Sequence, residues 1–147
     1  MHPIDPAKAK SRLVLRVRFC ETDLMGIVHH ANYLAYLEAG RVDWLRKRGV
    51  TYADWAAHGR HLPVVECSLH YRAPARFDDV IEVETRLTEL RAVSLRYDYA
   101  VTKGGILLAE GQTRLASIDD AHKLTRFTDE MLDVLTSPER AVTSTFE

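Results

Sequence analysis

SRLVLRVRFCETDLMGIVHHANYLAYLEAGRVDWLRKRG, residues 11–49, runs through three patterns in succession, and their order decides the fold. From Ser11 to Cys20 the chain alternates, with Leu13, Leu15, Val17 and Phe19 on one side and Arg12, Arg16 and Arg18 on the other. A period of two with one apolar face is a half-buried strand. Glu21 to Ala31 has no period and carries Asp23, Gly26 and the pair His29-His30, which suits a loop crossing to a new element. From Tyr33 to Arg48, Leu34, Leu37, Val42, Trp44 and Leu45 recur at roughly helical spacing, and Asn32 stands where a side chain can cap the first turn. Arg46, Lys47 and Arg48 suit the negative end of that helix, and Gly49 suits its C′ position. Gly40 inside the helix costs about 1 kcal/mol against alanine, so its presence predicts another backbone packed close by.

Outward from this stretch the pattern is nearly all strand. Thr51 to His61 reads as a short helix and loop, and Leu62 to Arg72 as a strand ending in the turn Ala73-Pro74-Ala75-Arg76-Phe77-Asp78-Asp79. Ile81, Val83, Thr85 and Leu87 then alternate with Glu82, Glu84, Arg86 and Thr88; Val93, Leu95, Tyr97, Tyr99 and Val101 continue the period. Gly104-Gly105 supplies a hairpin before Ile106 to Ile118, and Thr128 to Leu135 can form a closing helix. One strand, one long helix and four strands linked by hairpins predict an α+β fold, a five-stranded antiparallel sheet wrapped around a central helix. Its open edges are commonly managed by pairing with a second subunit. The expected organisation is a loose leader over 1–10, one domain over 11–137 and a tail over 138–147.

Composition narrows the classes of function. With 147 residues, 46% of them hydrophobic, the chain can build a single core. A net charge of −1 gives no field directed at nucleic acid or anionic membrane, so an anionic ligand must be met by local arginines. Cys20 and Cys67 are the two cysteines, and no apolar run approaches a signal peptide or a membrane span. A reducing, cytoplasmic setting without an integral membrane segment is expected.

The segment Phe19 to Tyr33 resembles the opening motif of the 4-hydroxybenzoyl-CoA thioesterase family, including its branch associated with the Tol-Pal system. Asp23, Gly26-Ile27-Val28, His30, Asn32 and Tyr33 all match it. Tyr71-Arg-Ala-Pro-Ala-Arg-Phe-Asp-Asp79 is similar to that family's turn between second and third strands, so the resemblance covers about residues 11–127. It implies the hotdog fold, with two subunits joining their sheets and active sites at the boundary. The His-plus-Phe-Pro-Gly motif of hotdog dehydratases is absent from the sequence.

The implied activity is hydrolysis of acyl-CoA to free acid and CoA, with no metal or cofactor beyond the coenzyme A of the substrate. Such chemistry needs a carboxylate to attack the carbonyl or activate water, and donors for the charge developing on the carbonyl oxygen. Asp23 maps onto the family aspartate and suits either role. Taken alone, a loop aspartate is first a turn former or helix cap. Backbone N–H groups at the helix start supply the donors, the His30 amide first among them; the His30 side chain can contact substrate or protonate the leaving thiolate. Gly26 lets backbone approach the substrate, while Ile27, Val28 and Tyr33 fall where the family binds it. Arg91 and Arg126, then Lys123, occupy positions of phosphate-contacting basic residues, and Ser94 a position near the coenzyme. Glu38 faces either the site or solvent. His29-His30 with Asp23 lacks a clear third ligand for a metal. The expected assembly is a homodimer or homotetramer. The alternatives are a non-catalytic acyl- or acyl-carrier-protein-binding module and a thioesterase acting on acyl carrier protein.

Overall fold

The computed structural model describes residues 1–140, as five strands and three helices: β1 (Lys10–Arg16), α1 (Asn32–Arg46), α2 (Tyr52–Ala56), β2 (Val64–Tyr71), β3 (Val80–Leu90), β4 (Ser94–Lys103), β5 (Ile106–Ala116) and α3 (Asp129–Leu135). The strands form one antiparallel sheet in the order β1-β3-β4-β5-β2, and α1 packs on its concave face in the hotdog arrangement. The period of two in β3 and β4 is real burial: Ile81, Val83, Thr85, Leu87, Leu95, Tyr97, Tyr99 and Val101 all face the core.

Three expectations are corrected. The alternation up to Cys20 outlasts the strand, because β1 ends at Arg16 and the chain turns tightly over Phe19–Glu21, leaving Phe19 exposed. The four later strands are not all linked by hairpins. β3-β4 and β4-β5 are hairpins, but β2 pairs with β5 at the far edge, and residues 72–79 cross the end of the sheet. Ala75 and Arg76 are occupied there by the loop before α1: Val28 N–H donates to Ala75 O at 2.8 Å and Ile27 bridges Arg76.

The third correction concerns the leader, expected to be loose. His2 N–H donates to Leu90 O at 2.7 Å, Trp44 Nε1 donates to Ala9 O at 2.9 Å, and Arg48 Nη2 donates to Lys8 O at 2.8 Å. Arg48 is itself buried, stacked on Trp44 and donating to Ser11 Oγ, Trp44 O and Ser137 O, so one side chain stitches the leader to α1 and to the chain after α3. Desolvation pulls its pKa down to about 10. Most of the expected C-terminal tail, residues 141–147, lies outside the described residues.

The face that α1 buries is aromatic: Tyr33, Tyr36, Leu37, Gly40, Trp44 and Leu45 face the sheet, while Leu34 is exposed. Gly40 is closely packed, but by side chains and not by the backbone its cost predicts: a Cβ there would stand 2.6 Å from Thr85 Oγ1 and 2.7 Å from Val83 Cγ1. Among the described residues no helix is long and apolar enough to cross a membrane.

Candidate active site

Between β1 and α1 the chain folds back on itself, with Thr22 bridging Val28, and Asp23 opens the turn at the tip of this excursion. Asp23 N–H donates to Ile27 O at 3.0 Å and Gly26 N–H to Asp23 O at 2.9 Å, a tight turn that requires Gly26 to sit at φ +77°. Met25 N–H donates to Asp23 Oδ1 at 2.9 Å. The bland role of a loop aspartate, closing its own turn, is thus filled by one carboxylate oxygen. The other has no hydrogen-bond partner among the described residues.

The start of α1 departs from the sequence reading in a useful way. Asn32 does not cap the helix; it is the first helical residue, and its Nδ2 donates to Glu21 O at 2.8 Å. The cap position falls to Ala31, whose side chain cannot accept, so the first amides find other partners or none. Ala31 N–H reaches His29 Nδ1 at 3.3 Å, and His29 N–H reaches Glu21 O at 2.9 Å. Among the described residues the His30 N–H has no acceptor. The His30 carbonyl is engaged twice, by Tyr71 Oη at 3.0 Å and by Tyr33 N–H at 3.3 Å. These bonds fix the peptide beside the open donor.

Asp23, Ile27, Val28, His30, Tyr33 and Tyr71 line one groove of about 390 Å³, closed on its far side by residues 72–74. Gly26 adjoins it, next to Arg76. Tyr33 is buried, and desolvation raises its pKa, so its phenol stays neutral as part of the wall. Of the residues singled out by sequence, the six in the Asp23 segment and helix start therefore converge.

Arg91, Ser94 and Arg126 converge on each other instead. Arg91 N–H donates to Ser94 O at 2.8 Å, and Phe127 N–H donates to Ala92 O at 3.1 Å, which gathers the three at the β3-β4 turn. Lys123 sits beyond them in an exposed loop. The Asp23 loop lies at the other end of β3, and this 11-residue strand spans roughly 36 Å at about 3.3 Å per residue. One chain alone does not bring the two groups together. Glu38 is exposed and lines a separate cavity of about 630 Å³ with Arg41 and His61. Among the described residues no three His, Cys, Asp or Glu side chains gather as metal ligands.

Sequence reasoning missed Glu21, which it took as the polar start of a loop. Its side chain is buried, and its Oε1 accepts from Arg18 N–H at 2.7 Å and from Tyr36 Oη at 3.0 Å. Burial works to raise the Glu21 pKa, but the Arg18 amide, the Tyr36 hydroxyl and the Arg18 guanidinium outweigh it and hold the carboxyl below its usual value. No local pattern marks it, because both its reach to Tyr36 and its burial depend on where α1 lies.

A sheet curled around one long helix, with a carboxylate and an unengaged helix-start amide lining one groove, is the architecture of the hotdog thioesterases. The chain belongs to the Thioesterase-like superfamily, which matches residues 17–135. It is 31% identical over 109 residues to the acyl-CoA thioester hydrolase YbgC of Escherichia coli O6:H1, covering 74% of this chain and 81% of that one. Among solved structures it is similar to the hypothetical protein TT1821 of Thermus thermophilus, with TM-score 0.82 and 44% identity over 86% of this chain and 95% of that one. It is also similar to the DHNA-CoA thioesterase of Staphylococcus aureus, with TM-score 0.81 and 27% identity over 85% and 87% of the two chains.

Proposed function

We propose that the protein hydrolyses acyl-CoA thioesters to free acid and coenzyme A, with Asp23 as the catalytic carboxylate and the His30 amide polarising the thioester carbonyl. The observation that carries this reading is the meeting, in one groove, of a carboxylate oxygen and a helix-start N–H that both lack partners among the described residues. Either of two balanced routes fits. As general base, Asp23 takes a proton from water, the resulting oxygen adds to the carbonyl carbon, and the C–S bond breaks to release the thiolate. As nucleophile, its free oxygen adds instead, the thiolate leaves, and water hydrolyses the mixed anhydride. Both consume only water and end by protonating the thiolate, a step within reach of the His30 ring. The helix-start amide stabilises the same developing charge in each, an effect worth about 3 kcal/mol for one such donor.

The reading includes a homodimer, or a homotetramer built from it, joined at β2. That strand is an unpaired edge with Val64, Val65 and Tyr71 exposed. Its Tyr71 end borders the Asp23 groove, and its Val64 end lies by Leu115, next to the Ser94 pairing with Ala116. A twofold that pairs β2 with itself antiparallel therefore lays the Arg91-Ser94-Arg126 cluster of one subunit toward the groove of the other. That supports a role for these arginines in holding the phosphates of coenzyme A.

The test is thiol release from purified protein with acyl-CoAs of graded length and one aromatic acyl-CoA. Turnover that Asp23→Asn abolishes supports the reading. Binding without turnover across the panel points to a non-catalytic acyl-binding module, and turnover of acyl carrier protein thioesters alone points to the other carrier.

A further inference from the structure

Three segments meet at Glu21: the end of β1, the Asp23 excursion and the start of α1. Its carboxylate ties backward to Arg18 through the amide at 2.7 Å and the guanidinium at 3.1 Å, and forward to the buried Tyr36 of α1 through the hydroxyl at 3.0 Å. Its carbonyl oxygen accepts from His29 N–H at 2.9 Å and from Asn32 Nδ2 at 2.8 Å. Every one of these partners flanks the groove without lining it, since Arg18, His29, Asn32 and Tyr36 are all absent from its wall. The Asp23 turn rests on three short-range bonds, and its tip residues Leu24 and Met25 are exposed.

We propose that Glu21 is the positioning residue of the site: it acts through Asp23 and the His30 amide, holding loop and helix start at one fixed separation. The inference rests on the proposed hydrolysis. A carboxylate suits the task because Oε1 can accept from loop and helix at once, whereas the ion pair made by Oε2 involves an Arg18 side chain that is 74% exposed. An exposed pair of that kind contributes little. The two bonds to Oε1 are what set the geometry.

Three variants separate positioning from plain stability. Glu21→Gln keeps an oxygen that can accept both Oε1 bonds, and its kcat is expected within about threefold of wild type. Glu21→Ala releases the loop; since a displacement near 1 Å costs on the order of 100-fold, kcat should fall by about that factor while KM moves less than about threefold. Tyr36→Phe removes only the bond to α1, and its kcat should fall between the two. The decisive readout is the double variant. Because part of its action runs through Asp23, adding Glu21→Ala to Asp23→Asn should lower the residual activity by much less than the factor it costs alone, whereas a loss of general stability would add in full. Arg18→Ala leaves kcat unchanged.

A folded Glu21→Ala with near-wild-type kcat, or a fully additive double variant, overturns the inference and leaves the Asp23 reading standing. An Asp23→Asn variant that keeps its turnover removes both. If Glu21→Ala does not fold, the Tyr36→Phe and Glu21→Gln comparison decides, and equal kcat in both overturns the proposal.

Discussion

Asp23 has two carboxylate oxygens with different employments, and that division is the physical content of the site. One oxygen closes the turn on Met25 and so fixes the orientation of the other. The sequence motif holds Asp23, Gly26, Ile27, Val28, His30 and Tyr33 close along the chain, and the fold keeps them around one groove because short separations survive folding. Asn32 was misread for the complementary reason. Capping is the common use of asparagine at that position, but here its amide is claimed by Glu21 O, eleven residues earlier. At this scale the arginines carry a prediction. If Arg91 and Arg126 hold the phosphates of coenzyme A as proposed, Arg91→Ala and Arg126→Ala should each raise KM for acyl-CoA about tenfold, about 1.4 kcal/mol of binding, with kcat unchanged. Steady-state kinetics on CoA and carrier-protein thioesters checks this; no change in either sinks the phosphate assignment.

Among the elements, α1 matters most, because it carries the helix start at one end and packs on the sheet along its length. At Gly40 it packs tightly on the side chains of Val83 and Thr85, where the cost of glycine in a helix points to a backbone instead. Gly40→Ala should destabilise the protein by about 1–3 kcal/mol, since the added methyl meets the Thr85 and Val83 side chains and can be housed only if they or the helix shift. Thermal unfolding measures it, and an unchanged Tm would mean that the helix shifts freely. The strands β3 and β4 were legible through their alternation. What alternation cannot report is which strand pairs with which. The seat of β2 beside β5 is set by the 72–79 crossing that the Asp23 loop holds in place, a long-range arrangement with no period in the sequence. Phe19 shows the same limit, since the apolar side of β1 continues in sequence after the backbone has turned away.

For the whole molecule, the proposed dimer answers both the exposed edge at β2 and the separation of the two residue clusters. Val65→Lys places a charge on that edge and should turn dimer into monomer and remove turnover. Light scattering coupled to size exclusion reads the first effect and thiol release the second; a wild-type monomer with full activity would contradict the shared-site assembly. Stability should also be lost in acid. Glu21, Asp79 and Glu84 are all held below ordinary carboxylate values by hydrogen bonds and cationic neighbours that outweigh any burial. A folded-state pKa below the unfolded one contributes stability that is fully present above the unfolded values of 4.5 for glutamate and 3.8 for aspartate. That stability drains away as pH falls through the lowered folded values. Tm should thus be level from neutral pH to about 5 and drop below it, and Glu21→Gln should flatten the drop.

The most direct trial of the central claim is to separate binding from chemistry at Asp23. Asp23→Asn keeps the shape of the groove and one turn-closing oxygen while removing the charge. It should bind an acyl-CoA with Kd within about threefold of wild type yet lose at least about 100-fold in kcat, the lower end of what a positioned carboxylate supplies. A variant that binds equally well and still turns over at the wild-type rate would show that this carboxylate does not do the hydrolysis.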